Sequence, residues 1–411
     1  MLTRRHMLGL LSSAWVGACA RATIKQRPEP RQERVFTPKV NPGARRDQSG
    51  VIQSAIDLCA LSGGGTVLLP AGTFLVSAHQ FQTQDGAVGG AFALTLRSGV
   101  SLRGAGAATV LRVLPRSYGP GALFAVIGSN PEEPIRVSRV QNLTIDGARD
   151  FQIANNQANN ITLTCAADVA VEDVVSLNAN GTSIMLRGLL NHPARGIRIK
   201  NCTVRSATNI GIQASQFEDG QITGNNVESV ENNGIDIYGE DGSTTSATAN
   251  FLIANNYVSN GLVGIFIETS RDGKIRNNVV RSSRLAGLAV NRINGEPRNV
   301  LFVENTVEAP TGIRVTGDTG GIRIQSNTFA AFTESAIQLG DAAGNVSHVE
   351  ILDNHFVAAS AAAPLVLLWG KQAAFISGHG NSARSSNSVP VESRASVIVA
   401  VELDELLARR P

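Results

Sequence analysis

The sequence predicts an all-β fold, one chain wound into a single-stranded parallel β-solenoid. Three observations predict it. One pattern recurs through the C-terminal half: an aliphatic strand, a short turn, then Ile-x-x-Asn-x-Val or a close relative. Within each unit apolar residues alternate in short runs broken by Gly and Asn, which is strand periodicity, whereas a helical repeat would show a 3.6-residue period. Finally, 41 Gly and only 5% aromatic residues suit frequent turns and stacked aliphatic rows rather than one large aromatic core.

Taken in chain order, the first 18 residues, MLTRRHMLGLLSSAWVGA, join a basic start to an apolar run too short to span a bilayer. They read as an export signal over residues 1–18. Thr3-Arg4-Arg5-His6-Met7-Leu8 resembles a twin-arginine signal, and Val16-Gly17-Ala18-Cys19 resembles a bacterial lipoprotein cleavage box. Together they predict a periplasmic or outer-membrane-associated bacterial lipoprotein, held to the membrane through a lipidated Cys19. Residues 19–46, rich in Pro, Arg and Gln with little periodicity, read as the tether. The solenoid domain takes residues 47–411 and opens on a helix whose apolar face includes Cys59.

Cys59, Cys165 and Cys202 are an odd number without a CxxC, so they predict buried small hydrophobes rather than disulfides or a zinc site. Lys+Arg 36 against Asp+Glu 33 offers no electrostatic reason to expect nucleic acid. We expect a monomer.

The repeats appear as IKNCTV, ITGNNV, IANNYV, IRNNVV, FVENTV, IQSNTF and ILDNHF, which place Cys202, Asn225, Asn256, Asn278, Asn305, Asn327 and Asn354 in one row. Successive coils of a parallel solenoid lie about 4.8 Å apart, so an inward row of Asn can bond amide to amide along the stack. An isolated buried amide would cost a few kcal/mol, about what a continuous ladder avoids. This row is structural.

The other half of each unit reads SIMLR, GIQAS, GIDIY, GIFIE, GLAVN, GIRVT and AIQLG. Alternation buries Ile184, Ile212, Ile235, Ile265, Leu288, Ile313 and Ile337 and turns two columns outward. One is Met185, Gln213, Asp236, Phe266, Ala289, Arg314 and Gln338; beside it run Arg187, Ser215, Tyr238, Glu268, Asn291, Thr316 and Gly340.

At this level of detail the stretch from Asp47 to Ser77, with its DQSGVIQSAIDLCALSGGGTVLLPAGTFLVS, is similar to the N-terminal cap of the pectate-lyase-like superfamily of right-handed β-helices. LRSGVSLRGAGAATVLR and VQNLTIDGARD look like its first coils, closest to mannuronan C5-epimerase catalytic modules. The resemblance runs from about Asp47 to His379 and implies a right-handed parallel β-helix with an N-terminal capping helix. It does not choose a reaction, because the superfamily includes lyases, epimerases, hydrolases and proteins without activity. Its epimerases carry an Asp-Pro-His-Glu strand with Asp and His outward and a further Asp outward on the next coil. Counting coils from VQNLTIDGARD puts that strand at Thr182 to Gly188, which here reads TSIMLRG. Met185 and Arg187 stand at the Asp and His positions and Ser215 near the further Asp, so the family's catalytic residues do not carry over in register.

Two coils on, GIDIYGED turns Asp236 and Tyr238 outward and GIFIETSRD turns Glu268 outward on the next coil. Glu240, Asp241, Arg271 and Asp272 follow in turns expected to border the same face. The inserts Leu189 to Arg195, Glu240 to Asn250 and Arg292 to Asn299 should wall one groove, with His192 overhanging it. For a uronate polymer, β-elimination or C5 epimerisation needs a base for the C5 proton, a second proton-transfer group and stabilisation of enolate-like charge. Asp236, Tyr238 and Glu268 are the catalytic candidates. Arg187, His192, Arg271, Asn291, Arg292 and Arg314 are the substrate-binding ones, with Arg187 two coils below and Arg314 two above Glu268. Asp236, Glu240, Asp241, Glu268 and Asp272 could hold Ca²⁺ against the sugar carboxylate. The same carboxylates also admit a glycoside hydrolase, and the columns admit a non-catalytic glycan-binding scaffold. Lyase or epimerase chemistry is favoured over these, because acidic, phenolic and basic groups converge on one face.

The N-terminal reading is directly testable: metabolic labelling with a fatty-acid analogue should mark the wild type and be lost in Cys19→Ser, and equal labelling of both would remove Cys19 as the anchor.

Overall fold

The computed structural model describes Arg34 to Leu403, except residues 83–87, 156, 190–191, 240–247, 292–297, 343, 359–361 and 385–390. Cys19 lies outside the described residues. Apart from His79–Gln82, which pairs antiparallel with Val88–Thr95, strands follow one another in parallel register, those inside the stack paired with the strand one coil before and one coil after, through about 12 turns. Helix α1, Ser49–Leu61, buries Ile52, Ile56 and Cys59 against the first strands, Gly65–Leu69, Val88–Thr95 and Val100–Gly104. Its apolar residues recur at the spacing of one helix face. Val35–Phe36 already pairs with Thr66–Val67, so the body begins ahead of residue 47 and the described end of the segment read as tether belongs to the stack.

Each coil contributes one strand to each of three sheets. Sheet A holds Ile184–Arg187, Ile212–Ser215, Ile235–Tyr238, Val263–Glu268, Ala286–Asn291 and Thr311–Thr316. Sheet B holds Phe217–Thr223, Ala249–Ala254, Arg271–Arg276, Arg298–Val303 and Thr319–Gln325. Sheet C holds Thr203–Arg205, Asn226–Glu228, Tyr257–Ser259, Val279–Arg281 and Thr306–Glu308. The predicted inward row from Ile184 to Ile337 is fully buried, as are Ile253, Ile275 and Phe302 of sheet B and Val227, Val258, Val280 and Val307 of sheet C. Each such side chain contributes about 1.5–3 kcal/mol of burial. Cys59, Cys165 and Cys202 are free, buried thiols.

Sheet A opens on a column of glycines for a steric reason. A Cβ on Gly234, Gly264 or Gly287 would meet Cγ1 of Val258, Val280 or Val307 at 2.2, 2.2 and 2.1 Å, so their absence lets sheets A and C close on each other.

The corner between sheets B and C has a second requirement. The residue before each ladder position is left-handed: Asn201, Gly224, Asn255, Asn277, Glu304, Ser326, Asp353 and Gly380 all have φ between 52° and 69°. L-residues reach this region at a cost that Asn, Asp and Gly feel least, which is why the repeat is rich in them. The bend then delivers the next side chain inward. Asn278 shows what it does there. Its Oδ1 accepts the backbone N–H and the Nδ2 of Asn256 at 3.0 and 2.9 Å. Its Nδ2 donates to the Ile253 carbonyl at 3.0 Å and to Asn305 Oδ1 at 2.9 Å, and its backbone N–H donates to the same Oδ1 at 3.0 Å. Every side-chain donor and acceptor site is used. The pattern repeats from Asn225, which accepts the Cys202 N–H, through to Asn381. Asn381 extends the row by one coil beyond the repeats, because ISGHGNSA keeps the bend but not the motif around it.

Asn278→Leu should therefore orphan the buried N–H of Asn256 and the Ile253 carbonyl and lower stability by about 2 kcal/mol or more, against about half a kcal/mol for a surface exchange. A denaturant midpoint equal to wild type would contradict the ladder.

Candidate functional site

The outward face of sheet A carries the two predicted columns in register. Met185, Gln213, Asp236, Phe266, Ala289, Arg314 and Gln338 pair in succession, and so do Arg187, Ser215, Tyr238, Glu268, Asn291 and Thr316. Arg187 is therefore three coils below Glu268, not two, because Ser215 and Tyr238 both intervene; the separation is about 14 Å. Arg314 stands two coils above Phe266, the neighbour of Glu268 in the other column.

The decisive departure from expectation is burial. Asp236 and Glu268 belong to outward columns yet are only 4% and 9% exposed. Asp236 accepts a hydrogen bond from Gln213 Nε2 at 3.3 Å and another from the side chain of Asn233, while its Oδ1 is buried with no partner. Burial pushes its pKa up to about 7, against the opposing effect of those two amides. Burial likewise raises Glu268 to about 8, with the neighbouring Asp236 charge adding to the shift. No hydrogen bond joins the Glu268 carboxyl to a described residue. The two occupy a diagonal between adjacent strands, about 8 Å from Cα to Cα. Burial thus holds both carboxyls toward their protonated forms near neutral pH, with no hydrogen bond between them.

Tyr238 is half-buried and directly in register with Glu268. It lines a cavity of about 370 Å³ with Arg187, Gln213 and Ser215. A second cavity of about 300 Å³ lies toward the earlier coils and shares Met185, Arg187 and Gln213 with the first, so one groove runs along sheet A. Arg187 is exposed in both and has no ion pair with a described residue, and Arg314 Nε is buried without a partner. Elsewhere on the stack, arginines pair with carboxylates one coil on: Arg195 with Glu218, Arg205 with Glu228, Arg281 with Glu308 and Arg323 with Glu350.

Other candidates do not join the groove. Arg271 and Asp272 begin a strand of sheet B, since buried Thr269 and Ser270 turn the chain directly after Glu268. There they pair with each other at 2.7 Å, and Asp272 also accepts from Asn299. His192 is exposed, its backbone bridged to Leu189, and it does not line either cavity. Glu240, Asp241 and Arg292 lie outside the described residues, as does most of the two inserts that contain them. Asn291 is half-buried next to Glu268. Among the described residues no group of three His, Cys, Asp or Glu side chains converges. Of the five candidate ligands only Asp236 and Glu268 lie together among the described residues, and their four carboxyl oxygens fall short of the six to eight, about twice as many at most, that Ca²⁺ takes.

Three participants were not anticipated. Gln213 was read only as a column member, and Asn233 and the apolar wall of the lower cavity, Phe92 and Phe124, were not singled out. The signal for Asn233 was present in NNGIDIY, where an Asn precedes the glycine that starts the strand.

Comparison with known proteins bears on the fold. The family described as "Right handed beta helix region" matches residues 243–400. The mannuronan C5-epimerase AlgE3 of Azotobacter vinelandii is 35% identical over 104 residues, which is 25% of this chain and 5% of that protein, so the match spans a small part of the relative's length. The A-module of the mannuronan C-5 epimerase AlgE4 from the same organism superposes with a TM-score of 0.60 at 21% identity, covering 82% of this chain and 98% of that one. A tailspike protein of E. coli bacteriophage HK620, solved in complex with pentasaccharide, gives 0.60 at 14% identity over 88% and 76%. The fold is a right-handed parallel β-helix, and the resemblance to epimerase modules holds at the level of that fold.

The dyad makes stability depend on pH with a definite sign. Both folded-state pKa values, about 7 and about 8, lie above the ordinary 3.8 and 4.5, so the folded protein keeps protons that the unfolded chain has released. That stabilisation is complete below about pH 4 and is lost as pH rises through 7 and 8. The double variant Asp236→Asn with Glu268→Gln should unfold like wild type near pH 4 and be more stable near pH 9, by about 2 kcal/mol or more. Parallel thermal melts across this range would show no divergence if the pair were solvated.

Proposed function

We propose that the protein is an exported carbohydrate-active enzyme that acts on a uronate-containing polysaccharide in the sheet A groove, by β-elimination or C5 epimerisation. The observation that carries this reading is Tyr238 in a groove with Arg187, which has no carboxylate partner among the described residues, next to Asp236 and Glu268, two buried carboxyls that do not themselves line either cavity but stand in register with and beside Tyr238 and are held toward their protonated forms. A uronate brings its own negative charge. Two ionised carboxylates would repel it, whereas a dyad held toward neutral donates a hydrogen bond to the sugar carboxylate and favours loss of the adjacent C5 proton. Tyr238 is the proton-transfer group. In elimination the C5–H electrons pass toward the carboxyl, the C4–O bond breaks and the leaving oxygen takes up a proton; in epimerisation a proton returns to C5 from the opposite face. Arg187 and Arg314 serve carboxylates of neighbouring sugars. The similarity to mannuronan C5-epimerases supports this choice of substrate class. The N-terminal signal and Cys19 suit action on a polymer outside the cytoplasm, from a lipid anchor.

A glycoside hydrolase is the second reading, favoured by the same dyad, since one protonated acid and one base or nucleophile is what glycoside cleavage uses.

With an active polymer in hand, Asp236→Asn and Tyr238→Phe should each reduce turnover by about a hundredfold or more while leaving the fold intact. Unsaturated products absorbing in the ultraviolet mark elimination, an altered uronate composition marks epimerisation, and new reducing ends without that absorbance mark hydrolysis. Undiminished turnover in both variants would remove the dyad and Tyr238 from the site.

A further inference from the structure

Resting on the uronate-polymer reading, we propose that the lower cavity of the groove is a subsite for a short acyl substituent on the sugar chain. The cavity is continuous with that of Tyr238 through Met185, Arg187 and Gln213, but its wall changes character toward the earlier coils. Phe92, Leu123, Phe124 and Ile210 are its apolar lining there. They stand alongside the polar Ser129, Gln157, Asn159, Thr162, Thr164 and Thr182. Gly128 makes room for this wall: a Cβ at that position would meet the Phe92 ring at 2.2 Å, so the ring lies across the bare backbone. Leu123, 57% exposed, stands at the rim of this lining, where its side chain can reach a bound group.

A sugar with all its hydroxyls free can meet the polar lining but fits the apolar part poorly. Each hydroxyl pressed against Phe92 or Ile210 would lose water without gaining a partner. Acylation removes one hydroxyl donor and adds a methyl group with a carbonyl acceptor, and the cavity answers both. The methyl meets the apolar wall. The carbonyl has a donor in Asn209, whose Oδ1 already accepts Asn232 Nδ2 at 3.3 Å while its own Nδ2 has no partner among the described residues. Arg187, in the same cavity, takes the uronate carboxylate. Cation, amide donor and apolar wall together describe a sugar chain that carries both a carboxylate and an acyl group, the latter as an O-acetyl ester or an N-acetyl amide.

Isothermal titration of the purified protein with two probe pairs tests this: mannuronan oligomers mono-O-acetylated and the same oligomers after mild alkali, and N-acetylated and N-deacetylated uronate–hexosamine oligomers, each pair titrated into the wild type and into Leu123→Asp. At least one acylated form should bind the wild type about tenfold or more tightly than its bare counterpart, a difference of one decade in Kd, and which pair responds names the ester or the amide. Leu123→Asp should bring that ratio toward one. Equal affinity for acylated and bare forms in both pairs, or no binding of any probe, overturns the acyl subsite. Because binding is read without turnover, this result is independent of whether Asp236 and Tyr238 act in chemistry.

Discussion

One internal interaction places everything on the outside of this protein: the hydrogen-bonded stack of buried asparagines from Asn225 to Asn381. Parallel strands have no tight hairpins to set their register, and a slip of one residue would exchange core and surface along a whole strand. The ladder prevents the slip locally at each coil it crosses, from Asn225 to Asn381. Each Asn Oδ1 holds both the backbone N–H and the side-chain amide of the residue one coil back, so a displaced coil would strand several buried polar groups at once. The left-handed residue before each Asn is part of the same device, because without that bend the amide would not point inward.

With register held from inside, the outward columns are free to differ from sheet to sheet. On sheets B and C they carry ion pairs between successive coils, such as Arg205 with Glu228 and Arg323 with Glu350, which are exposed and worth little individually. On sheet A the corresponding positions hold two carboxylates that are nearly inaccessible and unaccompanied by a paired arginine among the described residues. Such an arrangement opposes folding above neutral pH, and the aliphatic columns and the ladder beneath it offset that cost. Burial of carboxyls without a paired cation is the arrangement on which the proposed function rests.

The columns also allow one groove to change chemistry along its length. From Tyr238 down to Arg187 the lining is polar and titratable; past Met185 hydroxyls such as Thr162 and Thr164 share it with the aromatic and aliphatic side chains Phe92, Leu123, Phe124 and Ile210. No strand has to rearrange for this, since each coil presents its own residue at a fixed spacing of about 4.8 Å.

Much of this was legible in the residue order, and the limits fall where physical reasoning says they should. A period of two within strands and a recurring bend between them determined the coil architecture, the inward Ile and Asn rows and the pairing of Tyr238 with Glu268, because these depend only on neighbours in the chain and on equal positions in the next coil. The same counting misplaced Arg187 by one coil and put Arg271 and Asp272 beside the groove, when a two-residue corner at Thr269 and Ser270 sends them to sheet B. Only the tertiary structure decided that Asp236 and Glu268 are buried, that Asn233 and Gln213 hold the former, and that Phe92 and Phe124 meet Met185 in one cavity. The reason is physical: alternation tells which way a side chain points, but how much water reaches it depends on what separate coils bring over it, and that shielding sets the protonation on which the site's chemistry rests.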